Sequence, residues 1–404
     1  MLKKLLAVMF LFVMAAGVFS QSIPSGTGRY AALGNSPFIL DASSDIFSNP
    51  AWNTMYRNYA FGDLTPMSGN DFNGNAGVTF AIGKKWNLGM IINKRQDSWS
   101  LFYIDVISPR NSPIVPFMGL IGYTASKNFQ IALAPYVSMG NNEFTDTTGA
   151  LSRKYSSRSI GANLGFIYTL KKGWVEGAFR FRMNKFENDS SMSGGSQLDE
   201  NDGGIELGAG FRGWIYPSKS SKIAVVPFLG FFSYSFQPKS TITVGTTSTA
   251  VTGLNYSWLN INAGVGLNWP IMDDIQIAGG VGLAYNTYKA DTGSYEFKST
   301  EFVAPAFNMA METRITDWIT ARLGFNKSIT MGKYENTYQE AKSTFGSPDA
   351  TTISMGTGFH FGRFSIDATI NERWFKSGPN FLSGNSSSSN EMFGDISASY
   401  YFGK

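Results

Sequence analysis

RFSIDATINERW, residues 363–374, sets Phe364, Ile366, Ala368 and Ile370 against Ser365, Asp367, Thr369, Asn371 and Arg373. Successive side chains of a strand point to opposite faces, so this period of two places one row in an apolar medium and the other in a polar one. WITARLGFNKS, residues 318–328, repeats the pattern, with Ile319, Ala321, Leu323 and Phe325 opposite Thr320, Arg322, Asn326 and Ser328. In GIELGAGFRGWIY, residues 204–216, Ile205, Leu207, Ala209 and Phe211 oppose Glu206, Gly208, Gly210 and Arg212. Each stretch reaches the ~9–11 residues a tilted strand needs to cross a bilayer.

The connections decide between a soluble sandwich and a membrane barrel. Short links fall at 84–85, 125–128, 171–173, 217–222, 271–274, 316–317 and 362–363. They alternate with long polar segments at 141–156, 188–203, 237–255, 289–301, 332–350 and 375–390, rich in Ser, Thr, Asn, Asp and Gly. Short turns at one end and long loops at the other are the pattern of an outer-membrane barrel. Trp86, Trp174, Trp214, Trp269 and Trp318 each lie near a short turn, where a girdle of amphipathic rings would sit at headgroup depth. The expected fold is therefore all-β, a transmembrane antiparallel barrel. Seven short turns imply fourteen strands, and a first strand near Asn58–Leu64 plus a last one make sixteen. The stretch 95–114 is ambiguous between strand and outer loop, which leaves fourteen open.

Composition narrows the chemistry. The sequence holds no cysteine and one histidine, so neither a disulfide framework nor a zinc site is expected. A Ser-His-acid arrangement would rest on His360 alone, and no serine sits in a nucleophile elbow, so no catalytic residue, cofactor or enzymatic role is expected. The first twenty residues carry Lys3 and Lys4, an apolar run from Leu5 to Val18 and small residues before Ser20, and read as a signal peptide. Without those lysines 31 basic residues remain of the 33, against 29 acidic ones, which gives no case for nucleic acid. The expected division is a signal at 1–20, a plug at 21–56 and a barrel at 57–404.

Between signal and barrel lies GRYAALGNSPFILDASSDIFSNPAWN, residues 28–53, too apolar for a free tail and without a strand of useful length. A barrel of this size encloses more than side chains can fill, and a compact segment can fold into its lumen as a plug. Ala32, Leu33, Gly34, Asp41, Asp45, Asn49, Pro50 and Ala51 resemble the N-terminal hatch signature of fatty-acid-transport porins (FadL-like) and of the related PorV-like proteins. That family usually has a second glycine where Asn35 stands, and its aspartate pair is closer than Asp41 and Asp45. For the first group the resemblance implies passive uptake of hydrophobic molecules, such as fatty acids or aromatics, through a hatch-closed barrel. For the second it implies an outer-membrane partner of a protein secretion or surface-assembly system. The C-terminal GDISASYYFGK also resembles the terminal strand recognised by outer-membrane assembly machinery, although it ends in Gly-Lys rather than an aromatic residue.

Two sets of inward residues are candidate sites. Met118, Leu120, Phe228, Phe232, Tyr234 and Phe236 would form an apolar lumen patch that either holds a hydrophobic ligand or packs against the plug. Arg180, Arg182, Arg212, Arg322, Asp367 and Arg373 would either meet a carboxylate headgroup or pair with one another and with inward Glu176, Glu206 and Glu312. Asp41 and Asp45, buried by the barrel, need a cationic or hydrogen-bonding partner, and the inward arginines are the candidates. The expected surroundings are the lipid bilayer and lipopolysaccharide of a Gram-negative-type outer membrane, with a hydrophobic small molecule or secretion-system proteins as partners.

Overall fold

The computed structural model describes residues 28–66, 72–93, 115–145, 151–192, 194–201, 203–291, 296–336, 341–370 and 393–403. The expected signal peptide, Arg373 and the ambiguous stretch at 95–114 lie outside these residues. The strands are β1 (Tyr59–Pro66), β2 (Phe72–Ile82), β3 (Trp86–Ile92), β4 (Val115–Ser126), β5 (Phe129–Thr145), β6 (Leu151–Leu170), β7 (Gly173–Met192), β8 (Gly195–Asn201), β9 (Gly204–Ile215) and β10 (Ala224–Phe236). They continue as β11 (Pro238–Val244), β12 (Thr247–Thr252), β13 (Asn255–Met272), β14 (Ile275–Asp291), β15 (Glu296–Thr316), β16 (Ile319–Asn336), β17 (Ala341–Phe361), β18 (Phe364–Ile370) and β19 (Phe393–Tyr401).

All the pairings are antiparallel, and β1 pairs with β19 from Tyr59↔Tyr401 to Leu64↔Ile396, which closes the sheet. β8 leads into β9, β10 into β11 and β12 into β13 with only brief interruptions, so the barrel wall has 16 strands. Closure leaves no lipid-exposed edge with unpaired backbone groups, a requirement for any sheet that spans hydrocarbon. Both ends of the barrel chain, at β1 and β19, reach the short-turn rim, as an even strand number demands.

The alternation holds through the wall. Leu207, Leu229, Phe231, Ile261, Leu267, Phe307, Met309 and Leu323 are exposed on the outer face, whereas Glu206, Asn260, Arg322 and Asp367 are buried within. Two expectations need correction. Trp86, Trp269 and Trp318 are exposed near the short turns, but Trp214 is buried, stacked on Trp174 at 5.5 Å, and Trp52 meets Trp174 edge-on. Trp174 and Trp214 share the parity of Glu176 and Arg212, so strand alternation turns them into the lumen and removes them from the girdle. The long polar segments, in their described parts, are not open loops. β5 pairs with β6 out to Thr145↔Ser152, and β7 pairs with β6 to Leu151↔Met192, so the hairpins continue as paired strands beyond the apolar band. Their Thr and Ser residues suit a pleated surface that is wet on both faces.

Candidate functional site

In the N-terminal segment, Gly28–Ala32 packs against β16–β19 and Pro50–Thr54 against β3–β6. Asp41 caps the Ala42–Ser48 helix, its Oδ1 accepting the Ser44 backbone N–H at 3.0 Å. Asp45 reaches back to accept the Asp41 N–H at 2.8 Å, so two free donors of a helix start are satisfied reciprocally. Asn49 ends this helix and caps the 3-10 turn Pro50–Thr54, its Oδ1 accepting from Ala51 N at 3.1 Å. Pro50 opens that turn, where its missing N–H leaves nothing unpaired.

Two ion clusters tie the segment to the wall. Arg212 on β9 donates to Asp45 Oδ1 at 2.5 Å and to Glu176 Oε1 at 2.5 Å. Glu176 on β7 also accepts from Asn49 Nδ2 at 2.9 Å and from the Trp52 indole N–H, so one wall carboxylate reads the Asn-Pro-Ala turn. On the opposite side Arg29 forks onto both oxygens of Glu312 at 2.9 and 3.1 Å, while its Nη1 donates to Leu40 O at 2.6 Å and approaches Asp41 at 3.5 Å. Glu312 also accepts from Arg322 at 2.6 Å, and Arg322 pairs with Asp367 at 2.7 Å. Of the two sequence-identified aspartates, Asp45 therefore meets an inward wall arginine, and Asp41 meets an arginine of its own segment.

Neutral contacts fill the remaining circumference. Asn268 donates to Phe38 O at 2.7 Å and Asn326 to Gly34 O at 2.9 Å, where Gly34 and Asn35 take the left-handed conformation of a tight turn. The wall makes room with glycine. A Cβ on Gly324 would lie 2.3 Å from Gly34 N, one on Gly165 2.0 Å from Asn49 Oδ1, and one on Gly356 2.4 Å from the Ala32 Cβ. Gly266 and Gly280 accommodate the Phe38 ring.

The apolar candidates divide between two places. Met118 and Leu120 are buried with Ile46, Phe47, Ala51 and Trp52 of the segment, and Phe228 meets Phe38 at 5.8 Å between ring centroids. Leu33, Phe38 and Ile39 pack on Trp214, Ala224 and Val226. Phe232, Tyr234 and Phe236 instead join Phe186 in a separate buried cluster edged by Tyr256 and Trp258. The single lumen patch expected from the sequence is thus two surfaces, one committed to the segment and one further toward the hairpins. Between them Arg180 and Arg182 share Glu206 at 3.0 Å each, Arg182 donates to Asn163 at 3.1 Å and lies over the Tyr136 ring, and Arg180 lies over Phe232. His360 is held by the hydroxyls of Thr320 and Ser365, each at 3.0 Å.

Arg29 is the anchor that the sequence did not single out, whereas Glu176 and Glu312 were legible only as inward charges, without their partners in the segment. The wall glycines were legible only as inward positions in alternating strands. Among the described residues no cluster of His, Cys, Asp and Glu could hold a metal ion.

Burial pushes the Asp45 carboxyl up to about 7, against the pull of Arg212. The seated segment therefore binds this proton more tightly than a released one, whose aspartate titrates near ~4. Seating is strongest below about pH 4 and is lost progressively as pH rises toward about 7. Conductance in planar bilayers is expected to rise over this window, and Asp45→Ala to raise it further while flattening its pH dependence. An Asp45→Ala trace that keeps the parent's pH profile would assign the titration to another group.

No family model matches the chain, and no curated protein matches it. Among solved structures the chain is similar to the Pseudomonas putida toluene transporter TodX, at 9% identity and a TM-score of 0.43 over 94% of this chain and 98% of that one. A Pseudomonas aeruginosa FadL homologue matches at 9% identity and a TM-score of 0.43, over 96% of this chain and 100% of the other. The CymD monoaromatic hydrocarbon channel matches at 10% identity and a TM-score of 0.41, over 95% and 99%.

Proposed function

We propose that the protein is an outer-membrane channel for passive uptake of hydrophobic small molecules, with residues 21–56 as its plug and the barrel at 57–404 as its conduit. The observation that carries this reading is the aromatic surface of Phe186, Phe232, Tyr234 and Phe236 on the inner wall, separate from the residues that hold the N-terminal segment. An apolar molecule entering from the hairpin side would insert among these buried rings, exchanging ring–ring contact for ring–ligand contact. Further passage requires the Asn49–Ala51 turn to leave Glu176. Proteoliposomes carrying the protein are expected to accumulate radiolabelled toluene and hexadecanoate faster than empty ones. Phe232→Asp is expected to lower that rate ~10-fold or more, since a carboxylate in the apolar surface costs several kcal/mol. Heat-modifiable gel mobility checks that the barrel still assembles, and unchanged uptake by an assembled Phe232→Asp barrel would overturn the reading.

A second reading, a component of a protein secretion or surface-assembly system, is favoured by the paired hairpins that project beyond the apolar band. Specific copurification of a secreted protein together with no gain in solute flux would select it.

A further inference from the structure

The hairpin β11–β12 differs from its neighbours in charge and in pairing. Outward residues of β10 change from Leu229 and Phe231 to Ser233 and Ser235, and Gln237 follows its end, so the strand has left the apolar band before β11 begins. Beyond it, β7, β8, β11 and β12 pair in that order as a projecting sheet. β12 pairs with β11 on one side, and no described residue pairs with its other side. All six of its residues are exposed.

The register determines which backbone groups are free. Gly245 and Thr246 form a two-residue turn with Gly245 at φ +61, closed by Val244↔Thr247. Such a closing pair exchanges both backbone hydrogen bonds, and bonded pairs then alternate, through Ile242↔Thr249 and Ser240↔Val251. Ser248, Ala250 and Thr252 consequently direct their N–H and C=O groups away from β11, at a spacing of ~6.8 Å. Natural sheets blunt such an edge with charge, proline or a bulge. Residues 240–254 contain no charged residue and no proline, and β11 meets β12 without a register shift. The other hairpins carry charges in the corresponding place, such as Arg153 and Lys154, Lys289 and Glu296, and Lys333 and Glu335. On the face shared by Val244, Ile242 and Val251 these side chains are 64%, 43% and 52% exposed, outside the lipid where such exposure is ordinary.

We propose that β12 is a docking edge for an extended, uncharged, β-branched segment of another protein at the cell surface, added to the projecting sheet as its next strand. Only an extended polypeptide offers alternating donors and acceptors that match Ser248, Ala250 and Thr252. Its side chains on the Val244 face would cover Val251 and the methyl groups of Thr247 and Thr249. The inference rests on the hairpin alone and stands or falls apart from the channel reading.

The test uses the full chain in detergent micelles and an end-capped fluorescent peptide with the uncharged sequence STITV, which copies residues 240–244 of the strand that already pairs with β12. Saturable binding is expected, with slowed amide exchange at Ser248, Ala250 and Thr252. Alternate N-methylation of the peptide, or Ala250→Pro in the protein, should each weaken binding ~10-fold or more, since each removes backbone hydrogen bonds. Ala250→Pro leaves the bonds to β11 in place, and Ala250→Val should bind as the parent does. No saturable binding, equal binding of the N-methylated peptide, or insensitivity to Ala250→Pro would overturn the proposal. Self-association of the protein that Ala250→Pro abolishes would overturn it too, by assigning the edge to a second copy of the chain.

Discussion

Arg212→Ala is expected to free the N-terminal segment from the barrel more completely than any other single truncation. Arg212 is the cation between Asp45 of the segment and Glu176 of the wall, at 2.5 Å from each. Removing it leaves Asp45 and Glu176 buried without their shared cation, with only the Asp41 N–H on one and the Asn49 and Trp52 donors on the other, and breaking a buried pair by deleting one partner costs about 3–5 kcal/mol. Asp45→Ala is milder, because Arg212 then keeps Glu176. A loss of this size lowers the seated fraction relative to the released one by ~100-fold or more. The barrel wall should persist, since β9 retains its backbone pairing to β7 and β10. Two measurements check the outcome in one preparation, a rise in single-channel conductance and tryptic cleavage after Arg29. An Arg212→Ala barrel that is heat-modifiable, closed and resistant at Arg29 would mean that packing alone holds the segment.

Gly324→Val separates the seat from the wall in the opposite manner, by steric exclusion. The nearest atoms to a Cβ at this position are backbone, Gly34 N at 2.3 Å, Leu33 C at 2.5 Å and Gly34 Cα at 2.8 Å, and none of them belongs to a flexible side chain. Overpacking of a fitted contact costs about 1–3 kcal/mol even where neighbours yield. Here the neighbour is a tight turn whose carbonyl is already held by Asn326. Valine meanwhile suits a strand better than glycine, so β16 itself should not suffer. The expected result is an assembled barrel of parental or greater thermal stability whose Gly28–Leu33 region is labile to protease. A seated, protected segment in Gly324→Val would show that β16 can shift outward to admit the side chain. Arg212→Ala and Gly324→Val act at different sides of the segment, so their effects should add unless it moves as one body.

The barrel was legible in the sequence because its signal is local. Alternation in 204–216, 318–328 and 363–374, together with seven short turns, required no knowledge of which strand pairs with which. The structure places turns at all seven sites, and the first strand begins at Tyr59, one residue from its expected start. An even count then followed from having both ends at one rim. Misreadings arose where proximity to a turn was allowed to outweigh parity, as with Trp174 and Trp214, or where polarity was equated with loop, as in the hairpins at 141–156 and 237–255.

What holds the N-terminal segment was decided only in three dimensions. Arg29 and Glu312 are 283 positions apart, Asp45 and Arg212 167, and Asn49 and Glu176 127. Strand parity shows that a charge points inward, but not at which height or angle around the barrel it stands. Those coordinates depend on the stagger of every intervening strand, which a chain read in one dimension does not contain. The same holds for the glycines, since a missing side chain at Gly165 or Gly324 acquires meaning only when Asn49 or Gly34 arrives against it. The sequence by itself determined a closed, membrane-spanning wall, because water and hydrocarbon act on each residue separately. Tertiary structure decided which inward residues grip the segment and which remain as a separate aromatic surface, because that choice depends on pairs of atoms that only closure of the barrel brings together.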